Sequence, residues 1–428
     1  MGNGTPFRAV QLNSKRHYYM KKFNIPDIYK SNIIGRLKEI RRTKDKLKKD
    51  FSPSILNFGP VEFSIARHFG FCYGVENAVE IAYRTLRENP DKNIFLLSEM
   101  IHNPGVNEDL LSRGVKFLMD TDGNQLIDWS SLTKEDIVIV PAFGTTIEIQ
   151  EKLNSLGIDP YSFDTTCPFV EKVWNRAGQI GERGYSVIVH GKPSHEETRA
   201  TFSHSISKAP TLVLKDISEA KKLATYIKKE QSLESFNADF KGQYSEGFNP
   251  DTDLEKIGVV NQTTMLDSET QEISEYLKNV IQEHHKLDDG TISGHFANTK
   301  DTLCYATNDN QDATNSLINV VADFAIVVGG YNSSNTNHLA ELAETKHKTY
   351  YIESDKSLVS AQEIHHFDLH ENRITKTYDF LPRKEKVKIL LTCGASCPDS
   401  VMEQVLMRLT SFFDNTEDIE TVIKRISE

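Results

Sequence analysis

Long apolar runs are missing from this sequence: no stretch approaches the roughly 20 consecutive residues needed to span a bilayer, and no hydrophobic signal region follows Met1. A membrane-spanning helix is therefore not expected, and the expected location is cytoplasmic, with the plastid stroma as the alternative if the first residues act as a transit segment. Cysteine is scarce. Five in 428 residues, without the density or regular spacing of a disulfide scaffold, point to a reducing compartment and to metal or redox use. No G-x4-G-K-[ST] and no G-x-G-x-x-G occurs, so nucleotide cradles of the familiar kinds are absent. Positive charge is short everywhere except at one end, where residues 1–50 hold 14 Lys and Arg against 4 Asp and Glu, a net of +10 in a chain of net charge −11. The acidic remainder argues against nucleic acid as a partner, which calls for a basic face. The leader itself reads as a solvated arm or helix face. With only Ser14 and Ser31 and with acids present, it lacks the composition of a transit peptide.

What is present is an alternation. From about residue 62, short apolar strands (NIFLL, DIVIVPAF, YSVIVHG, KIGVVNQT, FAIVVGG, VKILLTCG) alternate with helical patterns such as Val75 to Leu86, Ser268 to His284 and Asn337 to Thr345, which is the signature of α/β layers. Cys72, Cys167 and Cys304 share one local setting, a polar turn running into a helix. Unpaired helix N–H groups favour thiolate there, the form that ligates metal. The plain alternative is three inert buried thiols. Three similar α/β units around a shared centre are expected, with Lys228 to Asp253 a polar surface excursion. Cys393 and Cys397 form a C-x3-C pair that matches zinc spacing poorly and reads as core or loop thiols.

The remaining polar groups fall where strands end and helices begin, where open α/β sheets bind ligands. His102 lies in IHNPGV, and His195 precedes Glu197 in an H-x-E that combines a donor for an anion with a carboxylate able to handle protons. Gln262-Thr263-Thr264, Ser333-Ser334-Asn335 and Ser396 read by default as helix caps; the same groups also make an anion site suited to phosphate.

Together, GFCYGV, IHNPGVNEDL, PAFGTT, DTTCPFVEKVW, SHEETRAT, NQTTML, DTLCYATNDNQDA, VGGYNSSNTNHLAELA and GASCPD resemble the 4-hydroxy-3-methylbut-2-enyl diphosphate reductase family, IspH/LytB, from about Phe63 to Asp399. The insert looks like the longer plant and cyanobacterial branch. The resemblance implies a pseudo-threefold trefoil, three similar α/β domains with small sheets around a central iron–sulfur cluster. The divisions would be a basic extension (1–61), domains at 62–166, 167–303 (insert near 228–253) and 304–400, and a C-terminal helical extension (401–428). It implies one 4Fe-4S cluster held by Cys72, Cys167 and Cys304 with one iron open, diphosphate binding by His102, His195, Ser333, Ser334, Asn335 and Ser396, Thr263 near the substrate hydroxyl, and Glu197 as proton donor. The implied reaction is reductive dehydroxylation of the allylic diphosphate to isopentenyl and dimethylallyl diphosphate, with ferredoxin or flavodoxin as electron donor and a monomer or homodimer as the unit. One departure is Phe143, in AFG, where the short bacterial branch has a histidine. A non-catalytic iron–sulfur carrier or sensor would explain the three thiolates but leave H-x-E, QTT and SSN without a task. A zinc-stabilised structural protein is the third reading.

Overall fold

The computed structural model describes residues 22–297, 302 and 304–427. Ser186–His190, Ile257–Asn261 and Phe324–Val328 are buried at every position, as strands covered on both faces must be. Each forms the inside of a sheet flanked by helices, so the chain is α/β, as expected.

Three sheets of unequal size result. The first holds Lys116–Phe117, Ile94–Leu96 and Ile137–Ile139 in that order, all parallel. The second runs Thr211–Leu214, Ser186–His190, Ile257–Asn261, Phe296–Ala297, also parallel. The third has seven strands: Ser54–Asn57, Val61–Ile65, Val387–Cys393, Phe324–Val328, Thr349–Ile352, Glu363–Asp368 and Arg373–Tyr378, parallel in the middle and antiparallel at both edges. The helix expected from Asn337 begins earlier, spanning Ser334–Glu344, because Ser333 caps it: its Oγ accepts from Thr336 N–H at 3.3 Å.

The three cysteines stand where the chain passes from one sheet to the next. Cys72 N–H donates to the Ala395 carbonyl just beyond the third sheet (3.2 Å), and the helix that follows, Tyr73–Glu88, buries Val75, Ala78, Val79 and Ala82 against the first. Cys167 N–H donates to Ala142 beside the first sheet (3.0 Å), and its helix, Pro168–Glu182, buries Val173, Ala177 and Ile180 against the second. Cys304 follows the last strand of the second sheet, and its helix, Tyr305–Leu317, packs Ala313 and Leu317 into the core of the third. Three crossings of one kind bring three helix N-termini to one centre.

Two expectations are corrected. The basic segment is not a solvated arm over its described part. The helix Asn32–Lys44, capped by Ser31, sinks Ile33, Ile34 and Leu37 into the largest core, and pairs Arg36 with Glu420 and Lys38 with Asp399 on the C-terminal helices Ile419–Ser427 and Asp399–Thr410. Its apolar residues recur at helical spacing beneath the charge, so one face is buried and the other basic. Residues 1–21 lie outside the described part. Nor is the insert only a surface excursion: Phe236, Phe240 and Phe248 are buried in the second core, with Phe236 stacked on Phe248 at 5.6 Å. Aromatics every fourth residue (236, 240, 244, 248) make a hydrophobic stripe within a polar composition.

Candidate functional site

Each cysteine is the N-cap of its helix, and at none of the three does the side chain accept a capping hydrogen bond. Ser31, Asn103, Thr146 and Ser333 do accept one at theirs. The three sulfurs are thus free of the usual cap duty and line one small cavity of about 90 Å³. Gly74 makes room for them: a Cβ there would stand 2.5 Å from Cys167 Sγ. The helix dipole does not by itself produce thiolates, contrary to the expectation from sequence. Burial pushes the Cys72 thiol up to about 12, with the neighbouring Cys304 adding, against the pull of the Val75 and Gly74 N–H groups. Burial, then Cys72, pushes Cys167 up as well, and burial raises Cys304. Desolvation outweighs the dipole in the protein alone, and a coordinating metal would deprotonate such thiols outright.

The same cavity is lined by His102, Glu197, Thr263, Ser333, Ser334, Asn335 and Ser396, and His195 adjoins it through His102. The structure therefore brings together every residue singled out from sequence. Glu197, 1% exposed, accepts from Thr263 on both oxygens: the backbone N–H at 2.5 Å and Oγ1 at 2.9 Å. Burial nevertheless pushes its carboxyl up to about 7, so that both its protonated and its ionised forms are populated near neutral pH.

His195 Nδ1 accepts the Glu197 N–H at 3.2 Å, which in the neutral ring leaves the proton on Nε2, 3.3 Å from His102 Nε2. Burial, then His102, holds His195 well below its ordinary value. His102 Nδ1 stands 3.5 Å from the Glu99 carboxylate, which only accepts, so in the neutral ring the His102 Nε2 lone pair accepts the His195 Nε2 proton, and the two rings form a chain that ends on Glu99. Across the cavity the Ser334 hydroxyl and the Asn335 amide nitrogen are buried with no partner, while Asn335 Oδ1 accepts from Ala395 N–H at 2.9 Å and so turns the amide nitrogen inward. Buried donors left open toward a cavity are available to hydrogen-bond a ligand there. Ser396 Oγ donates to the His102 carbonyl at 3.0 Å and ties the two sides together. Phe143 lies stacked on His102 (4.2 Å between centroids) and edge-on to His195 (5.7 Å), bracing the pair.

Two functional positions escape sequence reasoning. Glu196 is buried, accepts from Ser98 Oγ, stands 3.9 Å from His102 Nε2, and is pushed by burial to about 7; its only signal was the doubled acid in HEE. Gly74 had none beyond its place in GFCYGV. Volume alone points elsewhere, since the cleft around Asn24, Arg87 and Arg113, about 660 Å³, is larger but shares no residue with the cysteine cavity. Among the described residues no helix is long and apolar enough to cross a membrane.

The comparisons agree with this geometry. The chain is 37% identical over 406 residues to the 4-hydroxy-3-methylbut-2-enyl diphosphate reductase of Synechococcus sp. (strain WH7803), covering 92% of this chain and 98% of the relative. It is 39% identical over 407 residues to the reductase of the same name from Picosynechococcus sp. (strain ATCC 27264 / PCC 7002 / PR-6), covering 93% and 95%. The solved E-1-hydroxy-2-methyl-but-2-enyl-4-diphosphate reductase from Plasmodium falciparum shares the trefoil fold, with TM-score 0.58 at 21% identity over 82% of this chain and 87% of that one. The family model described as LytB protein matches residues 63–410, a span that holds all three cysteines, the facing histidines and the Glu197–Thr263 pair; the chain belongs to the LytB family.

Proposed function

We propose that this chain reduces 4-hydroxy-3-methylbut-2-enyl diphosphate to isopentenyl and dimethylallyl diphosphate, the last step of the methylerythritol phosphate route. The observation that carries the reading is the set of three uncapped buried thiols sharing one cavity with a Glu197 that titrates near 7 and orphaned anion donors. An iron–sulfur cluster fits the donor set: three buried thiols and no fourth cysteine line one cavity. Cys72, Cys167 and Cys304 would hold it. When bound, a 4Fe-4S cluster with one open iron supplies a Lewis acid for the allylic oxygen and two electrons delivered singly.

The chain's own residues do the rest. His102 and His195, with Ser333, Ser334, Asn335 and Ser396, bind the diphosphate and orient the allylic arm toward the thiols. Thr263 holds Glu197 by two hydrogen bonds at the substrate hydroxyl, and Glu197 gives its proton to the oxygen that leaves as water. The C–O bond breaks, two electrons are taken up, and a second proton reaches either end of the allyl unit, which yields the two products. Phe143 keeps the His102 ring in place where the short branch has a donor.

Electrons need an entry face. Cys72 also lines an outer groove, about 260 Å³, which Lys38, Arg42, Lys48 and the buried Arg67 share with the acids Glu76 and Asp309, and with Tyr73 and Tyr305. This suits an acidic one-electron donor of the ferredoxin or flavodoxin class, which the acidic remainder of the chain repels. A domain division at 62–166, 167–303 and 304–400 accords with the helix packing, although the third sheet takes its first strands from residues 54–65.

The test is the visible and paramagnetic-resonance spectrum of anaerobically purified protein, with and without the allylic diphosphate. Iron and sulfide should fall in Cys72→Ser, Cys167→Ser and Cys304→Ser and stay unchanged in Cys393→Ser and Cys397→Ser. A colourless zinc protein, or equal iron in all five variants, overturns the reading.

A further inference from the structure

Three residues with no part in this chemistry meet at one end of the four-stranded sheet. Glu255 stands two residues before the strand Ile257–Asn261, His285 is the last residue of the helix Asp267–His285, and His295 immediately precedes the strand Phe296–Ala297. One ligand atom from each lies within 4.8 Å of the other two. His285 Nε2 is 3.3 Å from Glu255 Oε2, and the two imidazoles lie 4.6 Å apart at 32°.

The hydrogen bonds around the cluster decide which atoms are available. His295 Nδ1 is 2.8 Å from the Glu255 carbonyl oxygen. A carbonyl only accepts, so in the neutral ring the proton is on Nδ1 and the lone pair on Nε2. Histidine ligands are oriented by just such an outer carbonyl. Lys229 Nζ is 3.0 Å from Glu255 Oε1, which leaves Oε2 toward the histidines. Sheet geometry fixes the spacing of two of the three, because Ile257 N–H donates to the His295 carbonyl at 2.9 Å.

The charge states suit a metal. Burial would raise Glu255, but Lys229 and His285 hold it below its ordinary value, so it is ionised. Burial keeps His285 below its ordinary value despite the carboxylate, so it is neutral at pH 7. Two imidazoles and a carboxylate select a first-row transition ion over calcium or magnesium, which prefer oxygen alone. From this geometry we infer that Glu255, His285 and His295 bind one divalent transition ion, zinc above others, as a clasp between the end of the long helix and the sheet. Donors within 4.8 Å must close by about an ångström around an ion with bonds of about 2 Å, a movement that side-chain rotation supplies. Lys229 both aims the carboxylate and, as a nearby cation, limits the affinity.

The test uses holoprotein purified anaerobically with its iron intact, titrated with zinc sulfate. One equivalent of zinc should be retained with iron unchanged, with nitrogen and oxygen but no sulfur neighbours at the zinc absorption edge, and with a raised melting temperature. His285→Ala/His295→Ala should lose the zinc and the thermal shift while keeping its iron. The milder His285→Asn should weaken zinc about tenfold or more, the scale on which lesions around a metal site act. Sulfur neighbours, zinc binding as tight in the variants as in the wild type, or no retained zinc in the wild type would each overturn the site and leave the assignment of the three cysteines untouched.

Discussion

Glu197 shows how environment assigns a role to an ordinary carboxyl. It is buried and doubly hydrogen-bonded, yet desolvation exceeds what the two Thr263 bonds contribute, and the group titrates near 7. Glu197→Gln keeps the shape and most hydrogen-bonding capacity but carries no transferable proton. Turnover at saturating substrate should fall roughly 10²-fold or more with substrate affinity nearly unchanged, while His195→Ala mainly weakens binding. Equal turnover in Glu197→Gln and wild type would remove the proton-donor role. Gly74 poses opposed effects at one atom. Helix propensity favours alanine by up to about 1 kcal/mol, whereas the new methyl would sit 2.5 Å from Cys167 Sγ. The steric term should win, so Gly74→Ala should lose iron in anaerobic preparations; full iron with a higher melting temperature would show that Cys167 can retreat. Glu197 was legible as a candidate in the H-x-E at a strand end, and as proton donor through the family resemblance, whereas Gly74 matters through a neighbour 93 residues away and no local pattern records that.

Among the elements, the helices that begin at the cysteines were legible because each follows a polar turn with apolar residues at helical spacing. Their convergence was expected as a shared centre, but the packing that achieves it was not legible, because each helix packs against a different sheet from the one its cysteine adjoins. The strand Ser186–His190 carries a further consequence. Its last residue, His190, is buried, with Nδ1 2.8 Å from Thr270 Oγ1 and Nε2 unpartnered. Burial, with His338 adding, lowers its pKa from 6.5 to about 4. Because the folded value lies below the unfolded one, the unfolded chain takes up a proton between these limits that the folded chain refuses. The contribution to stability is therefore complete above pH 6.5 and is lost as pH falls toward 4, by about 3 kcal/mol at the acid limit. Denaturant midpoints measured from pH 7.5 to 4.5 should fall less steeply for His190→Gln than for wild type. An unchanged slope would place the acid sensitivity elsewhere.

At the scale of the whole molecule, the acidic body carries a groove beside Cys72 in which four cations, Lys38, Arg42, Lys48 and Arg67, outnumber the two acids Glu76 and Asp309. Removing the leader would not test that groove, since Ile33, Ile34 and Leu37 belong to the main core. Reversing exposed charge does. Arg42→Glu/Lys48→Glu should slow turnover driven by reduced ferredoxin and flatten its dependence on salt, because steering acts on encounter and is screened over about 8–10 Å at physiological ionic strength. Turnover with a small chemical reductant should not change. Loss with both reductants would mean that the pair is structural, and loss with neither that the donor arrives by another face.

The sequence by itself determined the α/β class, the strand–turn–helix setting of Cys72, Cys167 and Cys304, and the family, because each is written in local spacing and in short motifs. Tertiary structure alone decided that those thiols resist ionisation, that Glu196 joins the site, that the aromatic residues of the insert build core, and that the first and last described helices pair directly. The physical reason is common to all four. Burial and long-range contact set desolvation and packing, and neither quantity is a property of residues adjacent in the chain.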